Sequence, residues 1–299
     1  MKAKVWPALI ALYVIWGSTY LAIRFAVETI PPFLSAGIRF FVSGVVLLAW
    51  RRAAGDPMPT ARQWRSEALV GVLLLLGGNG LVSYAEKRIA SGVAALIVGT
   101  VPLWLVLLEA IRPRGTKPGR RSLAGLAVGF AGVLILVGPR ELTGGRASFD
   151  GVGIGAVMLA SLLWSIGSIY SRTAAHPSAA LVGPGAQMLA GSAALFVVSA
   201  AIGEFGDFRP GSVAGRSWAG LAYLIAFGSL VGYVSYVWLL RNAPVSLVAT
   251  YAYVNPLVAI LLGATLASEP LTPRIALAAA IIIGSVVLTN SRARPRTAD

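Results

Sequence analysis

The stretch Gly80-Leu81-Val82-Ser83-Tyr84 returns 152 positions later as Gly232-Tyr233-Val234-Ser235-Tyr236. Each copy is followed by a short polar segment and then by an apolar run with one proline, Pro102 in the first case and Pro256 in the second. The chain therefore contains two versions of one unit. Because each unit has an odd number of membrane-length runs, the second copy inserts upside down relative to the first. Inverted pairs of this kind build pathways with two alternately open mouths, which points to transport.

The composition indicates a membrane protein. Of the 299 residues, 57% are apolar and 12% are charged, against about 25% charged in an average soluble domain. The net charge of +14 does not indicate a nucleic-acid partner, because the basic residues lie between the apolar runs. Zero cysteines and a single histidine, His176, exclude disulfides, thiolate sites and the usual imidazole metal sites. We therefore expect no metal and no cofactor.

Ten apolar runs of roughly 20 residues are each long enough to cross about 30 Å of hydrocarbon. They predict an all-α integral membrane protein with ten transmembrane helices. The first run follows Lys2 and Lys4, but it is too long for a signal peptide and lacks a small-residue cleavage site, so we expect it to be retained. The runs are approximately 5–27, 31–50, 67–86, 90–111, 119–138, 151–172, 180–203, 217–240, 245–267 and 273–291.

The distribution of lysine and arginine predicts the orientation. With a cytoplasmic amino terminus, sixteen of these 25 residues lie in cytoplasmic segments and seven lie at the outer ends. The other two, Arg24 and Arg39, lie within spans. Because cytoplasmic loops carry an excess of positive charge, we expect a multi-pass protein of a bacterial-type cytoplasmic (inner) membrane with both termini in the cytoplasm.

The internal repeat extends over the whole chain. An offset of 148 positions superposes Trp16 on Trp164 and Arg39 on Gln187, and an offset of 154 superposes Pro102-Leu103 on Pro256-Leu257. Such drift in the offset is what loop insertions produce. We predict a first five-helix repeat, a connector and a second, inverted five-helix repeat at residues 1–138, 139–150 and 151–299.

Several motifs in this order resemble the EamA family of the drug/metabolite transporter superfamily. They are Trp16-Gly17-Ser18-Thr19-Tyr20 in span one, Arg39-Phe40 in span two, the proline-centred spans four and nine, and Glu269-Pro270-Leu271-Thr272 before the last span. The resemblance covers essentially the whole chain. It implies a carrier of small metabolites with ten helices, and the YddG-type amino-acid exporters are similar to it in overall plan.

From this resemblance we expect a transporter and not an enzyme. The chain also lacks the acid/base pairs and the Ser/His arrangement that an intramembrane enzyme requires. The function expected is export of neutral, aromatic or a broad range of amino acids by alternating access; a carrier of drugs or sugar-type metabolites stays open as the alternative. The expected partners are a small-molecule substrate and the lipid bilayer, and the expected state is a monomer or weak dimer.

Polar and aromatic side chains deep in the membrane predict the substrate site, because they are costly there unless they face a cavity or a partner helix. Together they would form an aromatic, hydroxyl-rich and weakly charged cavity. Such a cavity suits neutral or zwitterionic metabolites with apolar side chains. The candidates are Trp16, Thr19, Arg39, Asn79, Ser83, Tyr84, Thr100, Trp104, Trp164, Ser168, Tyr236, Tyr251, Tyr253 and Asn255.

Two further features leave alternatives open. Pro102 and Pro256 predict helix breaks at equivalent places, since each removes a backbone donor and frees a carbonyl one turn earlier; a simple kink is the alternative. Arg39 is the one charge clearly inside a span. It either attracts a substrate carboxylate, pairs with Glu86 to close the outer mouth, or extends toward the outer interface.

The sequence predicts no proton relay. No acidic residue and no histidine falls near the centre of any predicted span, so the usual side chains of such a relay are missing. We therefore expect either movement of the substrate down its gradient or coupling through some less obvious group. His176 follows span six, where we expect it to be solvated.

Overall fold

The computed structural model describes residues 2–112, 119–137, 150–243, 247 and 250–290, and within these residues it is helical and contains no strand. Each of the ten predicted runs overlaps a helical segment of the described chain. Seven helices, α1 to α4 and α6 to α8, are long and apolar enough to cross a membrane. The helices are α1 (Lys2–Ala26), α2 (Pro32–Ala53), α3 (Ala61–Glu86), α4 (Ser91–Ile111), α5 (Arg120–Val137), α6 (Gly151–Ser171), α7 (Val182–Ala201), α8 (215–242), α9 (Tyr251–Leu266) and α10 (Pro273–Asn290).

Both α3 and α8 contain a π-helical stretch. In α3 it covers Val72–Gly80, and in α8 it covers Leu224–Tyr233. An offset of 152 places the first stretch on residues 224–232, so the two copies of the repeated pentapeptide lie at the ends of equivalent irregular segments. π-Helical turns are rare and frequently occur at functional sites.

The two proline positions differ in their effect on the helix. α4 is interrupted at Gly99 and Thr100, and its second part, Val101–Ile111, has Pro102 in its first turn. α9 continues through Pro256 without a break, which differs from the predicted break. A proline removes only one backbone donor, and a helix that packs against neighbours on several sides can tolerate that loss.

Polar contacts divide the connections between helices into two faces. On one face, Arg88 after α3 binds Asp150 before α6 at 2.6 Å, and Thr29 after α1 donates to Ser217 in α8 at 2.8 Å. On the opposite face, Gln63 at the start of α3 donates to the carbonyl of His176 after α6 at 3.0 Å. α6 therefore begins on the face where α1 ends.

Carboxylates on the first of these faces cap helices. Glu204, after α7, accepts hydrogen bonds from the backbone of Phe33 and Leu34 at 3.2 and 2.8 Å, at the start of α2. Glu269, after α9, accepts from the backbone of Ser91 and Gly92 at 2.8 and 3.2 Å, at the start of α4. These carboxylates satisfy amides that have no partner within their own helix. Both come from the second half of the chain and cap helices of the first half.

Asp150 caps α6 and pairs with Arg88. Its Oδ1 accepts from the Gly153 amide at 3.0 Å. That hydrogen bond and the Arg88 guanidinium hold the pKa of Asp150 below its usual range, and the carboxylate in turn raises the pKa of Arg88. Because the folded-state pKa of Asp150 is lowered, its contribution to stability is present at neutral pH and is lost as the pH falls through that lowered pKa.

Helices pack mainly on helices of the other half. α1 packs against α8 and α9, and α6 packs against α3 and α4. α2 packs against α7, and α5 packs against α10. Small residues allow the close crossings: a Cβ at Gly71 of α3 would collide with the Gln187 carbonyl of α7, and one at Gly220 of α8 would come within 2.8 Å of the Ala22 carbonyl of α1.

Candidate functional site

A central cavity lies between seven helices. The space between these helices measures about 900 Å³, and this volume includes space that is open to solvent. Its walls are mostly apolar and aromatic, and Arg39 is the one lining residue among those described that carries a formal charge. The lining residues are Trp16, Thr19, Tyr20 and Ile23 of α1; Arg39 and Phe40 of α2; Leu75, Gly78, Asn79 and Val82 of α3; Ala95, Val98, Gly99 and Val101 of α4; Ala160, Ser161 and Trp164 of α6; Gly228, Ser229 and Tyr233 of α8; and Tyr251, Ala252, Asn255 and Pro256 of α9.

Half of the predicted substrate-binding residues line this cavity. One more, Tyr236, touches its wall, with its ring centroid 5.0 Å from that of Trp16 and 5.9 Å from that of Tyr251. The side chain of Tyr253 lies outside the described part of the chain. The predicted residues in the lining are Trp16, Thr19, Arg39, Asn79, Trp164, Tyr251 and Asn255, together with Pro256 from the predicted helix breaks.

The remaining candidates do not line the cavity. Trp104 packs edge to face against Phe130 of α5 at 5.1 Å, and its indole nitrogen has no partner among the described residues. Tyr84 stacks on Phe33 at 5.9 Å. The hydroxyls of Thr100 and Ser168 donate to carbonyls of their own helical segments at 2.6 and 2.7 Å, and Ser83 and Pro102 are buried in helix contacts. Depth in the membrane does not determine which way a side chain points around its helix.

The two equivalent tryptophans meet in the wall of the cavity. The Trp16 indole lies against Gly232 and donates to the Gly228 carbonyl at 3.2 Å, both in or beside the π-helical stretch of α8. Trp164 lies against Gly78 in the π-helical stretch of α3. The two rings meet edge to face with their centroids 6.4 Å apart. Each tryptophan therefore contacts the irregular helix of the other half and both enclose one volume.

Arg39 is held inside the molecule and does not extend to the interface. Its side chain is buried, its Nε donates to the Ser229 hydroxyl at 2.9 Å, and its guanidinium lies 4.7 Å from the centre of the Phe40 ring. A guanidinium has five N–H donors, and this bond uses one of them. The others are available to an acceptor in the cavity, where a charged hydrogen bond is stronger than in water.

Two of the lining residues have backbone carbonyls that lack their usual helical donor. Pro102 and Pro256 cannot donate to the carbonyls four residues earlier, which belong to Val98 and Ala252, and both of these residues line the cavity. The two segments are adjacent, since a Cβ at Gly99 would lie 3.5 Å from the Ala252 oxygen. The cavity thus combines one cationic side chain with carbonyls that the two prolines leave without their helical donors.

Two carboxylates near the ends of α3 are fully buried, and their burial is not visible in the sequence. Neither carboxylate oxygen of Glu86 has a hydrogen-bond partner in the described chain, so the predicted pair with Arg39 is not formed in this conformation. Glu67 has no exposed surface and binds both His176 and Gln187. His176, expected to be solvated, is hydrogen-bonded through both ring nitrogens. No pattern in the sequence distinguishes these carboxylates from those of a solvated helix end.

This combination of membrane-length helices around a central, aromatic and partly open cavity defines a membrane transporter. The chain belongs to the EamA-like transporter family, whose model matches residues 5–138 and again residues 151–291. It is 39% identical over 284 residues to "Uncharacterized inner membrane transporter YedA" of Escherichia coli strain K12, covering 95% of this chain and 89% of that protein. It is 23% identical over 304 residues to an "Uncharacterized transporter" of Archaeoglobus fulgidus, covering 97% of this chain and all of that protein.

A solved crystal structure shares the fold. It superposes with a TM-score of 0.64 at 21% identity and covers 96% of this chain and 97% of the other. The comparisons therefore agree with the sequence on the family, on the helical membrane fold and on transport as the activity.

Proposed function

We propose that this transporter exports amino acids, mainly those with neutral apolar or aromatic side chains, by alternating access. The observation that carries the proposal is the single charged side chain, Arg39, in an otherwise aromatic and apolar cavity. A guanidinium binds a carboxylate through two parallel hydrogen bonds. The rings of Trp16, Trp164 and Tyr251 offer apolar surface to a side chain, and the carbonyls of Val98 and Ala252 offer acceptors to an ammonium group.

Alternating access follows from two equivalent halves with opposite orientation. The proposal is supported by the two matches to one family model, by the equivalent π-helical stretches, and by α6 beginning on the face where α1 ends. In proteins built this way, one site near the midplane is exposed to each side in turn.

The proposed location is the cytoplasmic membrane, with both termini in the cytoplasm. The arginine and lysine bias supports this orientation, and the Escherichia coli relative is described as an inner membrane transporter.

Cysteines introduced at exposed positions test this orientation directly, because the chain has no cysteine of its own. Gly211 lies between α7 and α8 and is exposed. The Gly211→Cys thiol should react with an impermeant maleimide in intact cells, and the Met58→Cys thiol, between α2 and α3, should react only after permeabilisation. The reversed pattern would place both termini outside.

The function is tested in proteoliposomes loaded with radiolabelled phenylalanine. Proteoliposomes that contain the wild-type protein should release it faster than equally loaded liposomes without the protein. Unlabelled phenylalanine should compete with the labelled substrate better than phenethylamine, which lacks the carboxylate. Arg39→Gln should reduce the rate about tenfold or more, since a charged hydrogen bond contributes roughly 1.5–3 kcal/mol. Release of a sugar or a cationic drug without release of any amino acid would refute the proposed substrate class and support the alternative carrier.

A further inference from the structure

A chain of hydrogen bonds connects the cavity wall to the protein surface. The Tyr233 hydroxyl, in the π-helical stretch of α8, donates to Gln187 Oε1 of α7. Gln187 Nε2 donates to Glu67 Oε2 of α3 at 2.6 Å, and Glu67 Oε1 lies 2.9 Å from His176 Nδ1. His176 Nε2 lies 2.6 Å from the Ser171 carbonyl oxygen. Four elements of the fold therefore meet through five polar groups.

The chain runs from buried groups to water. Glu67 has no exposed surface, and Gln187 and Tyr233 are buried. The His176 side chain is 37% exposed. A buried carboxylate is stable only when it is paired or hydrogen-bonded, so Glu67 depends on Gln187 and His176. The imidazole therefore connects the buried part of this chain to solvent at the surface.

The geometry fixes the number of protons that this pair holds. The Ser171 carbonyl can only accept, so His176 Nε2 carries a hydrogen. The contact between His176 Nδ1 and Glu67 Oε1 then requires one further proton, which belongs either to an imidazolium facing a carboxylate or to a carboxylic acid facing an imidazole. Without that proton, the Nδ1 lone pair faces a buried carboxylate, and the contact becomes repulsive.

We propose that Glu67 and His176 form a proton-binding site that keeps one mouth of the transport pathway closed. This mouth lies on the face where α3 begins and α6 ends. The bound proton joins the connection after α6 to the start of α3, and through Gln187 it orients Tyr233 at the cavity. Loss of the proton separates His176 from Glu67 and frees the mouth to open. The inference rests on the proposed alternating access, and under the proposed orientation the proton comes from the cytoplasm.

The other ionisable groups around the site belong to residue types whose usual pKa values lie far from neutral pH. Tyr233 is the titratable group on α8 that faces Glu67. Arg62 and Arg65 lie on the first turns of α3, and Arg172 ends α6. On α2, Arg51 is paired with Asp56 at 2.6 Å, and α7 contributes the uncharged Gln187. Arginine and tyrosine do not titrate in this range, whereas histidine does, so the proton that exchanges is the one shared by Glu67 and His176.

The sign of the pH dependence follows from the proton count. The closed mouth holds one proton that the open mouth releases, so acid favours the closed form and higher pH favours the open form. With the same pH on both sides of the liposome, wild-type phenylalanine exchange should rise with pH, by up to about tenfold for each pH unit over which the shared proton is lost. His176→Ala should stay at the high rate across this range. Glu67→Gln should stay at the low rate, because its amide donates to neutral Nδ1 and keeps the contact.

A thiol at the mouth separates this inference from the proposed substrate. Ser66 accepts from the Ala175 amide at 3.3 Å and becomes accessible only if the mouth opens. Maleimide labelling of Ser66→Cys, normalised to the exposed Met58→Cys thiol, should rise with pH and should stay low when Glu67→Gln is added. If labelling depends on pH but phenylalanine is not transported, the proton-binding site is supported and the proposed substrate is wrong. If phenylalanine moves but neither rate nor labelling depends on Glu67 and His176, the inference is wrong.

Discussion

Single aromatic side chains of the cavity provide a test of the proposed binding of an apolar substrate. Trp164 meets Trp16 edge to face and lies against Gly78. Trp164→Ala should raise the KM for phenylalanine exchange about tenfold, because burying a large apolar group contributes roughly 1.5–3 kcal/mol. The measurement is the concentration dependence of exchange in proteoliposomes, after confirming equal insertion.

Trp104 provides the matched control for that change. It is also a tryptophan in a predicted span, but it packs against Phe130 and away from the cavity. Trp104→Ala should leave the KM unchanged and lower the midpoint of thermal unfolding in detergent. An equal rise in KM for both variants would show that the effect comes from general loosening of the helices, and the cavity assignment would then be wrong.

Helix ends in this protein depend on carboxylates from the other half of the chain. Glu204 is buried and accepts from the Phe33 and Leu34 amides of α2. Glu204→Ala should destabilise the protein by about 1–2 kcal/mol through loss of this cap, seen as a lower unfolding midpoint in detergent. Asp207→Asn is the control, since Asp207 is exposed on the same short helix, Glu204–Asp207. An equal loss in both variants would argue against capping.

The sequence predicts helices better than it predicts their contacts. The apolar runs mark where the described helices lie because hydrophobic length is a local property, although only seven of these helices are long and apolar enough to cross a membrane. The π-helical stretches at Val72–Gly80 and Leu224–Tyr233 are not visible in composition, although the repeated pentapeptide marks where both end. Seven predicted residues line the cavity and the others do not, because their side chains point in different directions around their helices. That direction, like the burial of Glu67, is set by neighbours distant in the chain.

The packing of the whole molecule groups helices differently from the order of the chain. α1 packs on α8 and α9, whereas α6 packs on α3 and α4. If each helix is replaced by its equivalent in the other half, the packing of α1 on α8 and α9 becomes the packing of α6 on α3 and α4. This agreement is expected of two equivalent halves. The groups that share the most extensive surfaces therefore each contain helices from both halves. The proposed alternating access should move these mixed groups against each other, because large packed surfaces resist sliding.

A disulfide between α1 and α8 tests which bodies move. Thr29 Oγ1 and Ser217 Oγ are 2.8 Å apart at the face where α1 ends, close enough for a cysteine pair to bridge after small shifts. If residues 1–138 moved as one body against residues 151–299, this bridge would join the moving bodies and block exchange. With mixed groups, α1 and α8 move together. The oxidised Thr29→Cys/Ser217→Cys protein should therefore retain at least about half of the exchange rate of the same protein with its disulfide reduced, because the bridge leaves the packed α1–α8 surface intact.

The chain has no other cysteine, so reduction by dithiothreitol supplies the control on the same sample. A rate that collapses on oxidation and returns on reduction would mean that the two halves themselves are the moving bodies.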